Sequence, residues 1–560
     1  MRREVAQARN HPLAHVRAER LPAETPHPTP TLTRGNHSTD TLRDVRHPDD
    51  SASLDTDHQG RALAPARTLV RRHSARRAHT QMSSTSATLR ATLSHPVIDA
   101  DGHLVESLPL LEERIREVAG ERVAKRYRES AGWGGFTNMK KWGDLSEEQR
   151  RHDRPSVVSW WSHPTRAIDR ATSFLPSLFH DRLDEFGIDF AIVYPSYGSM
   201  FPGFADEELR RAGCRALNDY LHEVTAPWAS RMTVPAVIPM TTPTEAIEEL
   251  EHAVNVLGSK AVVLARYVKR PIPALDGTDP RLGARGTWID LYGVDSEYDY
   301  DPVWAKCCEL GVAATTHMGS MGIGFRQSIS SYVYNHVGQF AAAGEALAKA
   351  LFLGGVTARF PELRFAFLEG GVAWGVSLLS DLAEHWKKRG TPAIHDLNPA
   401  SIDRRELTRW LDEYGGEAFR SEAVRESVLE PDRAHPNELD DFARAKIEGF
   451  DQIGERFVHN FFFGCEADDR LVATAFDERL NPFGSRLRAM LGSDIGHWDV
   501  PDMREVVAES YQLVEQNLLS PLDFKDFVFG NAVQLHGGMN PRFFEGTVVE
   551  DQAREVLQGD

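Results

Sequence analysis

The sequence predicts an α/β protein, a (β/α)8 TIM barrel with two long insertions behind a disordered N-terminal leader. Three observations predict it. From about residue 95 onward, short apolar β-rich runs alternate with amphipathic helical stretches. Each run is too short and too apolar for a surface helix, and suits a strand buried on both faces of a parallel sheet. Eight such runs occur, the number that closes a parallel barrel.

In order, the runs are Pro96–Ala100, Ile188–Tyr194, Met232–Pro239, Ala261–Leu264, Val312–Thr316, Leu363–Leu368, Phe461–Gly464 and Leu487–Leu491. Helical segments separate them. Thr242-Pro243-Thr244-Glu245 has the pattern of a capping box with proline at the first helical position. Ile247, Leu250, Val254 and Leu257 follow on one face. Ser520-Pro521-Leu522-Asp523 opens the last long helix in the same manner. A plain barrel needs about 250 residues, and the chain has 560. Two insertions account for much of the excess. Residues 104–180 contain Trp142, Trp160 and Trp161, and residues 388–457 are charge-rich and expected to form a solvated helical subdomain. The barrel is assigned to residues 91–545, followed by a tail at 546–560.

Residues 1–90 differ in composition. They contain no Phe, Trp, Tyr or Lys, and 15 Arg face nine Asp plus Glu. Such a stretch cannot bury enough surface to offset its chain entropy, so it is expected to be disordered. It lacks the apolar segment of a secretory signal. Arg, Ala, Pro and His without Lys or aromatics is also what GC-rich upstream DNA yields when read in frame. The alternative to a native tail is therefore a leader foreign to the native protein, with Met82 as the true start.

The net charge of −18 excludes a dedicated nucleic-acid binder. No run approaches the roughly 20 apolar residues of a membrane span. Cys214, Cys307, Cys308 and Cys465 are too few for a disulfide scaffold, lack zinc-finger spacing and suit a reducing compartment, with the cytoplasm expected. Cys307 and Cys308 fall in the helix before the fifth strand, away from any barrel mouth.

Chemistry in such a barrel sits at the C-terminal ends of the strands. Asp101 and His103 follow the first strand. Two residues apart in extended chain, they point the same way and can grip one cation. His317 ends the fifth strand, and Ser493-Asp494 follows the eighth, with His497 and Asp499 just beyond. Singly, these read as a capping turn, a satisfied histidine and a helix N-cap. His336, His385 and His459 read as structural or exposed.

In combination, a D-x-H after the first strand, a His after the fifth and an S-D-x-x-H after the eighth resemble the amidohydrolase superfamily. The likeness is to its amidohydrolase-related branch, which includes aminocarboxymuconate-semialdehyde decarboxylase, dihydroxybenzoate-type decarboxylases and assorted hydrolases. It extends over about residues 95–540 and includes VIDADGH, DRLDEFGIDFAIVYPSYG, FLEGGVAW and GNAVQL. The resemblance implies that Asp101, His103 and His317 are metal ligands and that Asp494 is a ligand or the acid/base. His497 would orient Asp494. Two departures stand out. Asp101 replaces the first His of the frequent H-x-H, and Glu369 stands where the family often has a catalytic His. Arg266 follows the fourth strand in place of the lysine of binuclear relatives, so one divalent ion, Zn2+ or Mn2+, is expected.

Asp101 and Asp494 would neutralise that dication. An ionised Glu369 would then leave the site negative, so Glu369 is expected to be protonated or paired with Arg266 or Arg326. Arg326 could instead clamp a substrate carboxylate. The resemblance implies non-oxidative decarboxylation of an aromatic or unsaturated carboxylic acid. The alternatives are hydrolysis of an amide, ester or lactone, and a catalytically inactive ligand-binding barrel. The expected partners are a small-molecule substrate and further copies of the chain, as a homodimer or larger homo-oligomer, with residues 104–180 as interface.

Overall fold

The computed structural model describes residues 85–130, 142–157, 163–275, 286–390, 393–429, 440 and 442–559. The expected leader up to residue 84, with Met82, and the pair Trp160 and Trp161 lie outside the described residues. Residues 85–90, within the stretch expected to be disordered, are helical. Thr85–Arg90 is a helix whose Ser86 is buried and accepts the Ala508 N–H at 3.1 Å. Arg90 and Asp189 form an ion pair at 2.5 Å.

Eleven strands are present among the described residues. They are β1 (Ile98–Leu104), β2 (Phe190–Pro195), β3 (Met232–Thr233), β4 (Ala236–Ile238), β5 (Val262–Leu264), β6 (Val268–Pro271), β7 (Thr287–Asp290), β8 (Ala314–Thr316), β9 (Phe365–Phe367), β10 (Phe461–Cys465) and β11 (Arg488–Leu491). β1, β2 and β3 pair in parallel, as do β4, β5, β8, β9, β10 and β11 in that order. β3 and β4 are two pieces of one barrel strand, interrupted at Val234-Pro235, where proline brings no N–H to a ladder. The ring closes between β1 and the segment after β11. Asp494 N–H donates to the Asp101 carbonyl at 2.9 Å, and His103 N–H donates to the Ile495 carbonyl at 2.7 Å. The architecture is thus a closed parallel barrel of eight strand positions, each containing one of the eight apolar runs.

The strands are short, but nearly every barrel-strand residue is buried, as parallel strands covered on both faces require. Ile192, Ile238, Val262, Ala314, Phe367 and Phe463 belong to one continuous apolar core. Both expected capping boxes form, Thr242 with Glu245 and Ser520 with Asp523.

β6 and β7 form an antiparallel hairpin that the sequence reading does not anticipate. Its buried face joins Val268 of the core to a polar group: Arg270 pairs with Asp290 at 2.6 Å and donates to the Tyr300 hydroxyl at 2.9 Å. In the second insertion, the helices Arg404–Tyr414 and Glu422–Leu429 bury no residue. The first insertion reaches the barrel mouth, where His163 Nε2 lies 2.8 Å from the Tyr197 hydroxyl. The chain's last segment includes the helix Glu550–Gln558, which buries Ala553. Among the described residues, no helix is long and apolar enough to cross a membrane.

Candidate active site

Two of the site residues lie on β1 itself. Asp101 and His103 are fully buried there, next to a register shift between Asp99 and Gly102 in the pairing with β2. Such irregularities re-aim side chains. His103 Nε2 lies 3.5 Å from Asp101 Oδ1 and 3.2 Å from Asp494 Oδ1. His317, just past β8, brings Nε2 to 3.7 Å from Asp101 Oδ1 and 3.3 Å from Glu369 Oε2. His497 stacks on His103, with centroids 3.8 Å apart, and its Nδ1 lies 2.7 Å from Asp494 Oδ1.

The fold therefore brings Asp101, His103, His317, Glu369, Asp494 and His497 into one place. Asp101 Oδ1, His103 Nε2, His317 Nε2, Glu369 Oε2 and Asp494 Oδ1 are all buried and carry no hydrogen bond. Buried polar atoms are ordinarily satisfied, so five such atoms converging at the end of a barrel are candidates to hold a ligand or an ion. Among the described residues, Asp101 with His103 and His317, and His103 with Asp494 and His497, are the groups close enough to hold a metal ion. The two groups share His103, so an ion there can draw on both.

Backbone geometry marks the same residues. Glu369 and Asp494 adopt left-handed φ values of 56° and 50°. For a non-glycine residue this costs about 1–2 kcal/mol, and such strain clusters at functional sites. Gly496 lets the closing segment pass β1 closely. Its φ is +115°, and a Cβ there would lie 2.2 Å from the His103 carbonyl oxygen.

The electrostatics describe a site short of positive charge. Burial, then Asp99, raises the Asp101 carboxyl well above the ordinary carboxylate range. Burial, then Asp499 and Glu369, does the same to Asp494. Glu369 is raised well above its range by burial, then by Glu466 and Asp101. His103 and His317 are held well below the usual imidazole value, first by burial. His497 is lowered to about 4, also chiefly by burial. Neutral imidazoles beside acids that cannot all ionise are a set whose charge a cation would balance.

Arg266 and Arg326 occupy other places than expected. Arg266 is completely buried, and its guanidinium donates to the carbonyls of Thr316, Met318, Phe340 and Leu368 and to Thr316 Oγ1. It ties the ends of β5, β8 and β9 together and makes no ion pair with Glu369 among the described residues. Arg326 donates to the Gly338 carbonyl at 2.9 Å. Neither lines the cavity in front of the ligand set.

That cavity has a volume of about 380 Å3. Tyr267, Tyr332, Phe340 and Trp498 give it aromatic walls, and His103, His317, Glu369 and His497 face it at the barrel end. His336, read from sequence as structural or exposed, also lines it and stacks on Tyr332.

Three supporting residues escaped the sequence reading. Asp99 accepts from Ser493 N–H, the Ser493 hydroxyl and Asp101 N–H at 2.9, 2.6 and 3.1 Å, tying β1 to the Asp494 segment. Ser196 Oγ lies 2.9 Å from His497 Nε2. Glu106 accepts from the N–H groups of Ser196, Tyr197 and Gly198 at 3.2, 2.7 and 3.1 Å and so holds Ser196 in position. Ser196 directly follows β2, so the strand-end rule that found His317 could have found it. Asp99 and Glu106 act across the fold and left no local signal.

The family model described as amidohydrolase matches residues 181–537, more than half of the chain. The chain belongs to the amidohydrolase family. No curated protein matches its sequence. Similar solved structures include an amidohydrolase from Mycobacterium avium subsp. paratuberculosis K-10, at 18% identity and a TM-score of 0.46, covering 80% of this chain and 100% of that one. Another is 2,6-dihydroxybenzoate decarboxylase complexed with 2,6-dihydroxybenzoate, at 15% identity and a TM-score of 0.41, covering 79% and 99%. A third is a dihydroxybenzoic acid decarboxylase from Polaromonas sp. JS666 with bound manganese and 2-nitroresorcinol, at 16% identity and a TM-score of 0.43, covering 79% and 97%.

Proposed function

We propose that this chain is a metal-dependent enzyme that removes CO2, without oxidation, from an aromatic or unsaturated carboxylic acid. The observation that carries the reading is the set of five buried ligand atoms without hydrogen bonds, opening onto an aromatic-walled cavity. Asp101, His103, His317 and Asp494 would hold one divalent ion, and a mixed oxygen and imidazole set suits Zn2+ or Mn2+. Such an ion would supply positive charge that favours binding of a carboxylate and stabilises negative charge developing in the substrate.

The residues of the chain do the rest. Tyr332, Phe340 and Trp498 would form the apolar wall against a planar substrate and limit water at its reacting carbon. Asp494 gives a proton to the carbon that loses CO2: the C–C bond breaks, its electron pair stays on that carbon, and the new C–H bond takes it up. His497 Nδ1 steers the Asp494 carboxyl and is itself anchored through Nε2 by Ser196. Glu369, raised in pKa chiefly by burial and in no ion pair with arginine among the described residues, would donate to substrate when protonated.

The test is CO2 release over a panel of hydroxybenzoates, run beside lactones, esters and amides. CO2 from at least one acid supports the reading. Turnover confined to lactones, esters or amides replaces it with hydrolysis, in which Asp494 accepts a proton from attacking water. No turnover together with no metal favours a ligand-binding barrel.

A further inference from the structure

The aromatic cavity adjoins a second chamber of about 300 Å3, and the two share His336, Gln339, Phe340, Glu369 and Asp499. The second chamber is acidic: Glu369, Glu466, Asp469 and Asp499 line it. No Lys or Arg lines either space among the described residues. Arg266 spends its donors on main-chain carbonyls, and Arg326 donates to the carbonyl of Gly338 in the chamber wall.

The charges do not cancel. With Glu369 protonated, a dication and Arg266 exceed Asp101 and Asp494 by one positive charge, too little to offset the acids of the side chamber. Glu466, Asp469 and Asp499 remain, and none of them forms an ion pair with Lys or Arg among the described residues. Glu369 stands at the junction, with its side chain 7% exposed and a buried Oε2 that carries no hydrogen bond. The chamber acids do not converge closely enough to form a metal-holding group. Two rings share the chamber wall with them: Phe340 and His336, whose centroids lie 6.3 Å apart. Dispersed carboxylates beside aromatic faces recognise an organic cation, by ion pairing and by attraction to the ring quadrupole.

We propose that the side chamber receives an ammonium or protonated amine, so that the substrate is an amine-bearing aromatic carboxylic acid. Its carboxylate points to Asp101, His103 and His317, and its cationic group points to Glu466, Asp469 and Asp499. The carboxylate half rests on the decarboxylase reading; the cation half does not. A second carboxylate in the chamber would meet three uncompensated acids and be rejected.

The test is isothermal titration calorimetry of the full metal-loaded chain with benzylamine, benzyl alcohol, 4-(aminomethyl)benzoate and terephthalate. Benzylamine is expected to bind about tenfold more tightly than benzyl alcohol, and 4-(aminomethyl)benzoate to exceed terephthalate by at least that factor. In the double variant E466Q/D469N, these preferences should fall to near unity. The amide oxygen of the D469N side chain can still accept the Leu471 N–H that Asp469 accepts at 2.8 Å, so the local turn survives. Equal affinity of the parent protein for benzylamine and benzyl alcohol, or preference for terephthalate, overturns the proposal without any variant. Benzylamine has no carboxylate. Its selective binding with no CO2 release from any acid would uphold the chamber and remove the decarboxylase; CO2 release with no preference for cations would do the reverse.

Discussion

Glu106 offers a prediction whose size and sign both follow from the structure. Its carboxylate is 2% exposed and accepts three consecutive main-chain N–H groups, those of Ser196, Tyr197 and Gly198. These bonds favour the charged form, but burial outweighs them and pushes the carboxyl up to about 7 from its ordinary 4.5. The native state therefore holds the Glu106 proton more tightly than the unfolded chain does. The associated stability is fully present below pH 4.5 and is lost as pH rises through 7, by about 3 kcal/mol in all. E106Q carries no charge and should lack this loss. The assay is urea unfolding of parent and E106Q at pH 5 and pH 8, with the two pH differences compared so that other titrating groups cancel. The parent should lose about 3 kcal/mol more than the variant between the two pH values. Parallel losses would refute the claim that burial outweighs the hydrogen bonds. E106A serves as companion: with three donors orphaned, each costing about 1–3 kcal/mol, it should be less stable than E106Q at both pH values.

Three further predictions follow. G496A places a Cβ against the His103 carbonyl in a left-handed backbone, so the variant should bind less than half the metal of the parent by elemental mass spectrometry, and equal loading would contradict this. D494N should cut CO2 release by about 10²–10⁴-fold; a rate within a factor of a few of the parent would remove Asp494 as proton donor. His536 is held down to about 3 by burial alone, so its contribution to stability is present above pH 6.5 and lost as pH falls toward 3. H536F, which keeps a ring against Phe543, should abolish that loss and retain about 2–3 kcal/mol more than the parent between pH 7.5 and pH 4.5. Identical acid unfolding curves would show that His536 does not resist protonation.

The barrel was legible because its strands are buried on both faces, which writes them as compact apolar runs such as Val262–Leu264 and Phe461–Cys465. Asp101, His103, His317 and Asp494 were legible because barrel topology gathers strand ends wherever they fall in sequence. The hairpin β6–β7 was not, since its buried face sets Arg270 and Asp290 beside a single apolar residue, Val268. Arg266 was read as a candidate partner of Glu369 because it follows the fourth strand; only the structure shows the main-chain carbonyls that satisfy its buried guanidinium. The acidic chamber was missed although Glu466 directly follows β10. The strand-end rule, applied to the seventh position of the barrel as it was to the first, fifth and eighth, would have found it.

The central claim is that Asp101, His103, His317 and Asp494 form a centre for one divalent ion. Elemental mass spectrometry of gently purified full-length protein, parent and H103A/H317A side by side, tests it most directly. The account predicts one equivalent of Zn2+ or Mn2+ per chain in the parent and none in the variant, with circular dichroism showing both folded. A folded parent that carries no divalent ion and takes up none on titration, or a variant that keeps its ion, would contradict it.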